Sequence, residues 1–159
     1  MASFEIHGGK ALKGELIPQG AKNEALQVLC APLLTEEKVT ISNIPDIVDV
    51  NKLIGLLQSM GVKIEKVEKG TYIFQAKDVD LDYLKTEDFK NRASSLRGSV
   101  MIVGPLLARF GIGYLPKPGG DKIGRRRLDT HFEGFKMLGA SFNYDAGEHF
   151  YSVEGKKLR

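Results

Sequence analysis

The feature that most constrains the fold is an internal repeat in which the same order of elements occurs twice. The first copy begins with Ala31-Pro32-Leu33-Leu34 and continues with the β-rich run 39–41. An amphipathic stretch that ends at Gly61 follows, and then two further β-rich runs. The second copy runs in the same order from Gly104-Pro105-Leu106-Leu107 to Val153. Self-similarity at this scale predicts two structural units of one kind.

Each unit is predicted to contain a helix, a strand, a second helix and two strands joined by a turn. Gly61 and Gly139 follow the second helices and are placed to end them, because glycine readily adopts the left-handed conformation found there. Lys69-Gly70 and Ala146-Gly147 supply the turns between the last two strands. The apolar spacing predicts four helices, over about 22–35, 48–60, 93–110 and 128–138. Residues 78–90 are acidic and weakly periodic, which indicates a linker with one short helical turn at most.

Composition and charge exclude several classes of protein. The 159 residues are 42% hydrophobic and 27% charged, which suits one sizeable core and argues against disorder. No run approaches the roughly 18 to 20 apolar residues of a membrane helix, and residues 1–10 carry no export signal, so a cytoplasmic protein without a membrane partner is expected. One cysteine and three histidines allow neither an intrachain disulfide nor a Cys/His zinc site, and no metal site is expected.

The difference between the two copies points to a functional loop. Pro32 to Gly61 spans 29 positions, whereas Pro105 to Gly139 spans 34, so the second copy holds five extra residues. The excess falls within Lys117–Arg127, which is rich in glycine and positive charge. An insertion in one copy of a packing unit usually lies on the surface and adds function there.

Three groups of cations are candidates for binding an anion. Lys22 and Asn23 stand at the predicted start of the first helix, where free N–H groups and the helix dipole favour an anion. Arg125–Arg127 lie close to Lys122 in the inserted loop, and guanidinium groups match phosphate and carboxylate geometry. Arg97 lies near the start of the long helix predicted in unit two. The alternatives are a solvated lysine with a capping Asn23, a surface salt bridge for Arg97, and a solvated or nucleic-acid-binding loop. A net charge of only +3 and the absence of interleaved aromatic residues weaken the nucleic-acid interpretation.

The remaining reactive side chains give weaker signals. Cys30 lies in an apolar helix, which favours a place in the core rather than reactivity. His7, His131 and His149 lack the spacing of a metal site or catalytic triad, and only His131 is near the candidate site. For Asp121, burial would raise the carboxyl pKa and the neighbouring arginines would lower it, so the sequence leaves its protonation open.

Several motifs together resemble the UDP-N-acetylglucosamine enolpyruvyl transferases over essentially the whole chain. The most specific is the glycine loop that ends in Ile-Gly-Arg and is followed by Asp-x-His. The sister family, the 3-phosphoshikimate enolpyruvyl transferases, begins its first helix with a Ser-Lys-Ser type motif that is absent here. The matching segments are Gln19–Asn23, Ile41–Pro45 with Asp49-Val50, Gly104–Gly111 and Pro118–His131.

The resemblance implies an activity and a set of site residues. The family transfers the enolpyruvyl group of phosphoenolpyruvate to the 3-hydroxyl of UDP-N-acetylglucosamine, in peptidoglycan synthesis, without a cofactor. By this resemblance Lys22 and Arg126 hold phosphoenolpyruvate and Asn23 lies between the substrates. Asp121 takes the position of the proton donor. Arg97 and the segment 126–130 would contact the sugar nucleotide, so Arg126 is shared with phosphoenolpyruvate and the further contacts are Arg127, Leu128, Asp129 and Thr130.

Three departures from the family pattern qualify this assignment. Most members have cysteine at the position of Asp121, and an aspartate there implies resistance to the epoxide fosfomycin. Arg127 replaces a usual proline. The chain is also well under half the usual family length, so the general base and further arginines would lie elsewhere and the chain alone is expected to be inactive.

The resemblance also predicts the fold class and the extent of the domains. The class is α+β, an inside-out α/β barrel type of βαβαββ-like units, with two units present of the three that each domain should contain. Residues 1–20 are expected to pack with the missing second domain, and 21–159 to form an incomplete N-terminal catalytic domain, with repeats at about 21–77 and 91–155. A truncated, non-catalytic protein that binds a UDP-sugar is the alternative of a different class.

Overall fold

The computed structural model describes residues 3–116, 127–147, 150–155 and 158. The elements from Lys22 to Gln75 belong to unit one, and those from Glu87 to Glu154 belong to unit two. The helices are α1 Lys22–Val28, α2 Val48–Ser59, α3 Glu87–Ser94, α4 Val103–Phe110 and α5 Asp129–Met137. The strands are β1 Lys38–Ile41, β2 Lys63–Glu68, β3 Thr71–Gln75, β4 Ile112–Pro116, β5 Ser141–Asp145 and β6 Phe150–Glu154.

The two three-stranded antiparallel sheets confirm the predicted repeat. Their orders are β1-β3-β2 and β4-β6-β5, so the last strand of each unit lies in the middle of its sheet. Val39 pairs with Phe74 in the first sheet, and Leu115 pairs with Tyr151 in the second. The α+β class is therefore confirmed. In the described residues no strand precedes the first helix of either unit, so unit one reads αβαββ and unit two reads ααβαββ.

The predicted second helices and their ends are also confirmed. The helix predicted over 48–60 is observed as α2, and the one predicted over 128–138 is observed as α5. Gly61 and Gly139 follow them with φ of 93° and 97°, and Gly70 turns the first hairpin with φ of 75°. Local sequence decides these features, because the φ values lie where L side chains are strained.

The first helices of both units are shorter than predicted. The helix predicted over 22–35 ends at Val28, and residues Ala31–Leu34 form a 3₁₀ turn. Pro32 explains the break, because proline inside an α-helix removes a hydrogen bond and clashes with the preceding turn. The helix predicted over 93–110 is likewise divided into the end of α3, the 3₁₀ segment Arg97–Ile102 and α4. The buried Ser99 hydroxyl lies 2.7 Å from the carbonyl oxygens of both Ala93 and Leu96, so its one proton is shared between these two acceptors, and the contact closes the turn after α3.

The prediction that 78–90 is a linker with little structure is wrong in its second half. A 3₁₀ turn occupies Tyr83–Lys85, and α3 already begins at Glu87. The Thr86 hydroxyl accepts a hydrogen bond from the Phe89 N–H at 3.2 Å and so caps α3. A threonine followed by acidic residues is a helix-start signal, and it was present in the sequence.

The two units share one main hydrophobic core. Leu29, Leu53 and Phe74 of unit one pack in the same cluster as Phe89 and Leu106 of unit two. A second, smaller cluster lies within unit two, around Leu107, Leu115 and Val153. Because helices of both units enter the main core, burial fixes the position of α1 and α2 relative to the 3₁₀ segment Arg97–Ile102.

Arg109 also joins the units. Its Nη1 lies 3.1, 3.1 and 2.6 Å from the carbonyl oxygens of Leu33, Thr35 and Ala76, and its Nη2 lies 3.3 Å from the Glu36 carboxylate. All four partners belong to unit one, whereas Arg109 is in the last turn of α4. A mostly buried guanidinium therefore satisfies backbone groups where the units meet.

Candidate functional site

Five of the predicted substrate-binding residues line one pocket. This pocket, of about 570 Å³, lies where α1, α2, the 3₁₀ segment Arg97–Ile102 and the start of α5 meet. The five residues come from distant parts of the chain: Lys22, Asn23, Arg97, Arg127 and Leu128. The fold therefore gathers cations from both units into one concave site.

A close backbone approach positions the start of α1. A Cβ atom on Gly20 would lie 2.0 Å from the carbonyl oxygen of Asn43 and 3.2 Å from Cδ of Pro45. Only glycine fits there, and the turn itself contains Asn43 at φ 58°, a conformation that asparagine tolerates better than most residues. The glycine of the Gln-Gly-Ala-Lys-Asn motif thus lets Lys22 begin α1 beside the loop that leads into α2.

Lys22 forms an ion pair with the first turn of α2. Its Nζ lies 3.0 Å from Oδ2 of Asp49, and the two side chains are 48% and 40% exposed. Asn23 does not cap α1, since the cap residue is Ala21 and no side chain bonds to it. The alternative in which Asn23 caps the helix is therefore wrong, and Lys22 is held at the pocket by a carboxylate rather than solvated freely.

Arg97 reaches the same pocket because its segment runs close to α1. A Cβ on Gly98 would lie 3.1 Å from Cδ1 of Leu26, so a larger residue would press on this side chain of α1. Arg97 is partly buried at the first position of this 3₁₀ segment. Aligning the two Pro-Leu-Leu segments puts Arg97 at the position of Glu24, two residues from Lys22, so both units carry a cation near the start of the predicted first helix. The fold brings these two cations into one pocket.

The residues at the start of α5 divide into two groups. Arg127 and Leu128 line the pocket, whereas Asp129 and Thr130 are exposed in the first turn of α5 and are not among the lining residues. The Arg127 Nε donates a hydrogen bond to the Asp129 carboxylate. Asp129 is therefore placed to orient Arg127. Asp121 and Arg126, predicted as proton donor and phosphoenolpyruvate ligand, lie outside the described residues, as does most of the inserted loop.

The structure adds pocket residues that the sequence analysis did not single out. Asp49 and Lys52 stand one turn apart on α2, Gln27 projects from α1, and His131 lies on α5. In the sequence Asp49 is notable only as part of a motif, and His131 only as a neighbour of the candidate loop. Among the residues that the structure describes, the lining carries four full positive charges, from Lys22, Lys52, Arg97 and Arg127, against one negative charge, from Asp49. This balance favours an anionic ligand.

Other candidate chemistry lies away from this pocket. Burial raises the pKa of the Cys30 thiol to about 12, which agrees with the predicted core position. Among the described residues no cluster of His, Cys, Asp or Glu could hold a metal ion. Nor does any helix in that part of the chain have the length and hydrophobicity to cross a membrane. A second cavity of about 840 Å³ lies near Gly111 and Gly155, and the described residues that line it include none of the predicted site residues.

Sequence comparison places the chain in a family of carboxyvinyl transferases. The profile of the EPSP synthase (3-phosphoshikimate 1-carboxyvinyltransferase) family matches residues 6–159, and the chain belongs to this family. A UDP-N-acetylglucosamine 1-carboxyvinyltransferase of Bacteroides thetaiotaomicron is 57% identical over all 159 residues. Its counterpart from Porphyromonas gingivalis is 54% identical over 158 residues. The chain spans 37% and 36% of these relatives' lengths.

Solved structures support the fold. The enolpyruvyl transferase NikO from Streptomyces tendae matches 96% of the chain and 32% of its own length, with a TM-score of 0.73 and 21% identity. An EPSP synthase from Acinetobacter baumannii matches 96% of the chain and 34% of its own length, with a TM-score of 0.54 and 15% identity. At these identities the comparison concerns the fold, and it agrees with the two repeated units.

Proposed function

We propose that the chain is part of an enzyme that transfers the enolpyruvyl group of phosphoenolpyruvate to the 3-hydroxyl of UDP-N-acetylglucosamine and releases phosphate. The observation that carries the proposal is the pocket, in which Lys22, Arg97 and Arg127 converge. Both substrates bear phosphate groups, which ammonium and guanidinium groups bind well. The 57% identity to a UDP-N-acetylglucosamine 1-carboxyvinyltransferase supports this substrate pair over the 3-phosphoshikimate of the sister enzymes.

The proposed mechanism is an addition followed by an elimination. Asp121 gives a proton to the methylene carbon of phosphoenolpyruvate while the sugar 3-oxygen, losing its proton to a base outside this chain, bonds to C2. The tetrahedral adduct then returns a proton from the new methyl group to the Asp121 carboxylate and expels phosphate, which restores the carbon–carbon double bond. Lys22 and Arg126 hold the phosphoenolpyruvate, and Asn23 lies between the substrates. Asp129 contributes by holding the Arg127 guanidinium.

The proposed domain organisation is an incomplete catalytic domain over 21–159 and a segment, 1–20, that packs with a second domain. The observation behind this is the exposure of five large apolar side chains in residues 3–20, each at least 85% exposed: Phe4, Ile6, Leu12, Leu16 and Ile17. Such a concentration of exposed apolar surface is typical of a segment that packs against something else. With the base and further arginines elsewhere, this chain alone binds substrate without turnover. Activity in the cytoplasm, in peptidoglycan synthesis, is part of the same proposal.

Resistance to fosfomycin also follows from the proposed role of Asp121. A carboxylate supplies a proton as the family's cysteine does, but it is a weaker nucleophile toward an epoxide than a thiolate. We expect no covalent adduct after incubation with fosfomycin, measured as the intact mass of the protein. A stoichiometric mass increase that maps to Asp121 would contradict this part of the proposal.

Calorimetric titration of the chain with UDP-N-acetylglucosamine tests the assignment at the level of the site. We expect saturable binding, weakened about tenfold or more in the Arg97→Ala variant, because a charge-assisted hydrogen bond to phosphate is lost. Arg92→Ala is the matched control. Arg92 is exposed on α3, outside the pocket, and pairs with Asp88 at 2.8 Å. Absence of binding by a chain that circular dichroism shows to be folded, or equal losses in both variants, would contradict the proposed site.

A further inference from the structure

Lys52 is the pocket cation to which neither the repeat nor the family motifs draw attention. It lies on α2, one helical turn after Asp49, and both side chains line the pocket. The apolar positions of α2 on either side, Val50 and Leu53, are buried in the core, which fixes the rotation of the helix. Residues three apart on a helix share a face, so Lys52 stands beside the Lys22–Asp49 pair.

The pocket cations differ in their partners. Lys22 pairs with Asp49 at 3.0 Å, and Arg127 donates to Asp129. Lys52 makes no ion pair and no hydrogen bond with any described residue, and its side chain is exposed at the pocket wall. An ammonium group with no internal carboxylate retains its full charge for a ligand, whereas a paired one must share it.

We propose that Lys52 binds a phosphate group of the substrate and adds to the affinity of this site, an inference that rests on the proposed function. The site would then hold its ligand with an ammonium group from α2 in addition to the cations supplied by α1, the 3₁₀ segment and the start of α5. The ligand chemistry is a phosphate monoester or diphosphate. Phosphoenolpyruvate carries the first, and UDP-N-acetylglucosamine carries the second.

The test is a set of calorimetric titrations with UDP-N-acetylglucosamine, phosphoenolpyruvate and pyrophosphate, each on the wild-type chain and the Lys52→Gln variant. We expect Lys52→Gln to raise Kd by about fivefold for the ligand whose phosphate it binds, the magnitude of a single exposed charge contact. The salt dependence of Kd should also become shallower, because one screened charge pair is lost. Lys52→Arg should restore both quantities.

The matched control is Lys38→Gln, which removes the same charge from an exposed side chain of β1 that lies outside the pocket. An equal loss in Lys38→Gln and Lys52→Gln would overturn the inference, because it would show a general effect of net charge. Unchanged Kd values for all three ligands in Lys52→Gln would overturn it too, and would leave the proposed function standing. If the wild type binds pyrophosphate but neither substrate, the proposed function fails, and the inference is overturned with it because it concerns a phosphate of the substrate. If the wild type binds none of the three, both fail.

Discussion

Helices α2 and α5 occupy the same place in the two units but are buried to very different extents. Five residues of α2 are buried, whereas α5 has none. Counting back from Gly61 and Gly139, the residue before each glycine is Met60, 0% exposed, and Leu138, 43% exposed. The same local pattern therefore forms the same helix in both units, whereas the extent of its burial depends on the elements that pack against it.

The covering elements explain the difference. The α2 helix packs against α1, α3 and the 3₁₀ segment Arg97–Ile102, so unit two closes the core over unit one. The main described contact of α5 is with β5. Its face also carries His131 where α2 has Leu53, and that histidine lines the pocket. A unit of this kind buries its second helix only when another unit packs on it.

The largest expected effect is a difference in stability between two equivalent truncations. Met60→Ala should lower the free energy of unfolding by about 2–4 kcal/mol, because it leaves a cavity in a closed core. Leu138→Ala should cost less than about 1 kcal/mol, because solvent already reaches nearly half of that side chain. Urea unfolding of both variants at one pH measures the two values. Equal losses would contradict the comparison, since they would mean that α5 is covered in solution.

Local features were predictable from the sequence, and features set by distant contacts were not. The second helices, their terminal glycines and the hairpin at Gly70 follow from apolar spacing and backbone preference within a few residues. The division after α3 depends on the buried hydroxyl of Ser99, which needs its surroundings to be recognised. At the start of α3 two local signals conflict, because Thr86 favours a helix cap whereas the weak apolar periodicity of residues 78–90 favours a linker.

The site shows the same limit. The motifs and the repeat singled out Lys22, Arg97 and Arg127, which the structure places around one pocket. Asp49 and Lys52 join them only because α1 packs on α2, and Asp49 lies 27 positions from Lys22. No local pattern encodes that contact. The charge balance of a pocket depends on which residues the folded chain brings together. The sequence therefore indicates the cations, whereas the residues that pair with them are identified only by the structure.

A smaller expected effect tests whether unit one, whose helix α2 is buried, and unit two, whose helix α5 is not, unfold together as one cooperative structure. Arg109→Met keeps most of the side-chain stem but removes the donor that lies within 3.1 Å of three carbonyl oxygens of unit one. Leaving such groups unpaired should lower the free energy of unfolding by about 1–3 kcal/mol. Arg92→Met is the control: its ion pair is exposed, so its loss should cost no more than about 1 kcal/mol.

The cooperativity of the Arg109→Met variant is measured by two signals. Tyrosine fluorescence and circular dichroism should report one shared unfolding transition, at a lower urea concentration than in the wild type. If the two signals separate, unit one keeps its core without unit two, and the burial of α2 does not depend on the helices that cover it.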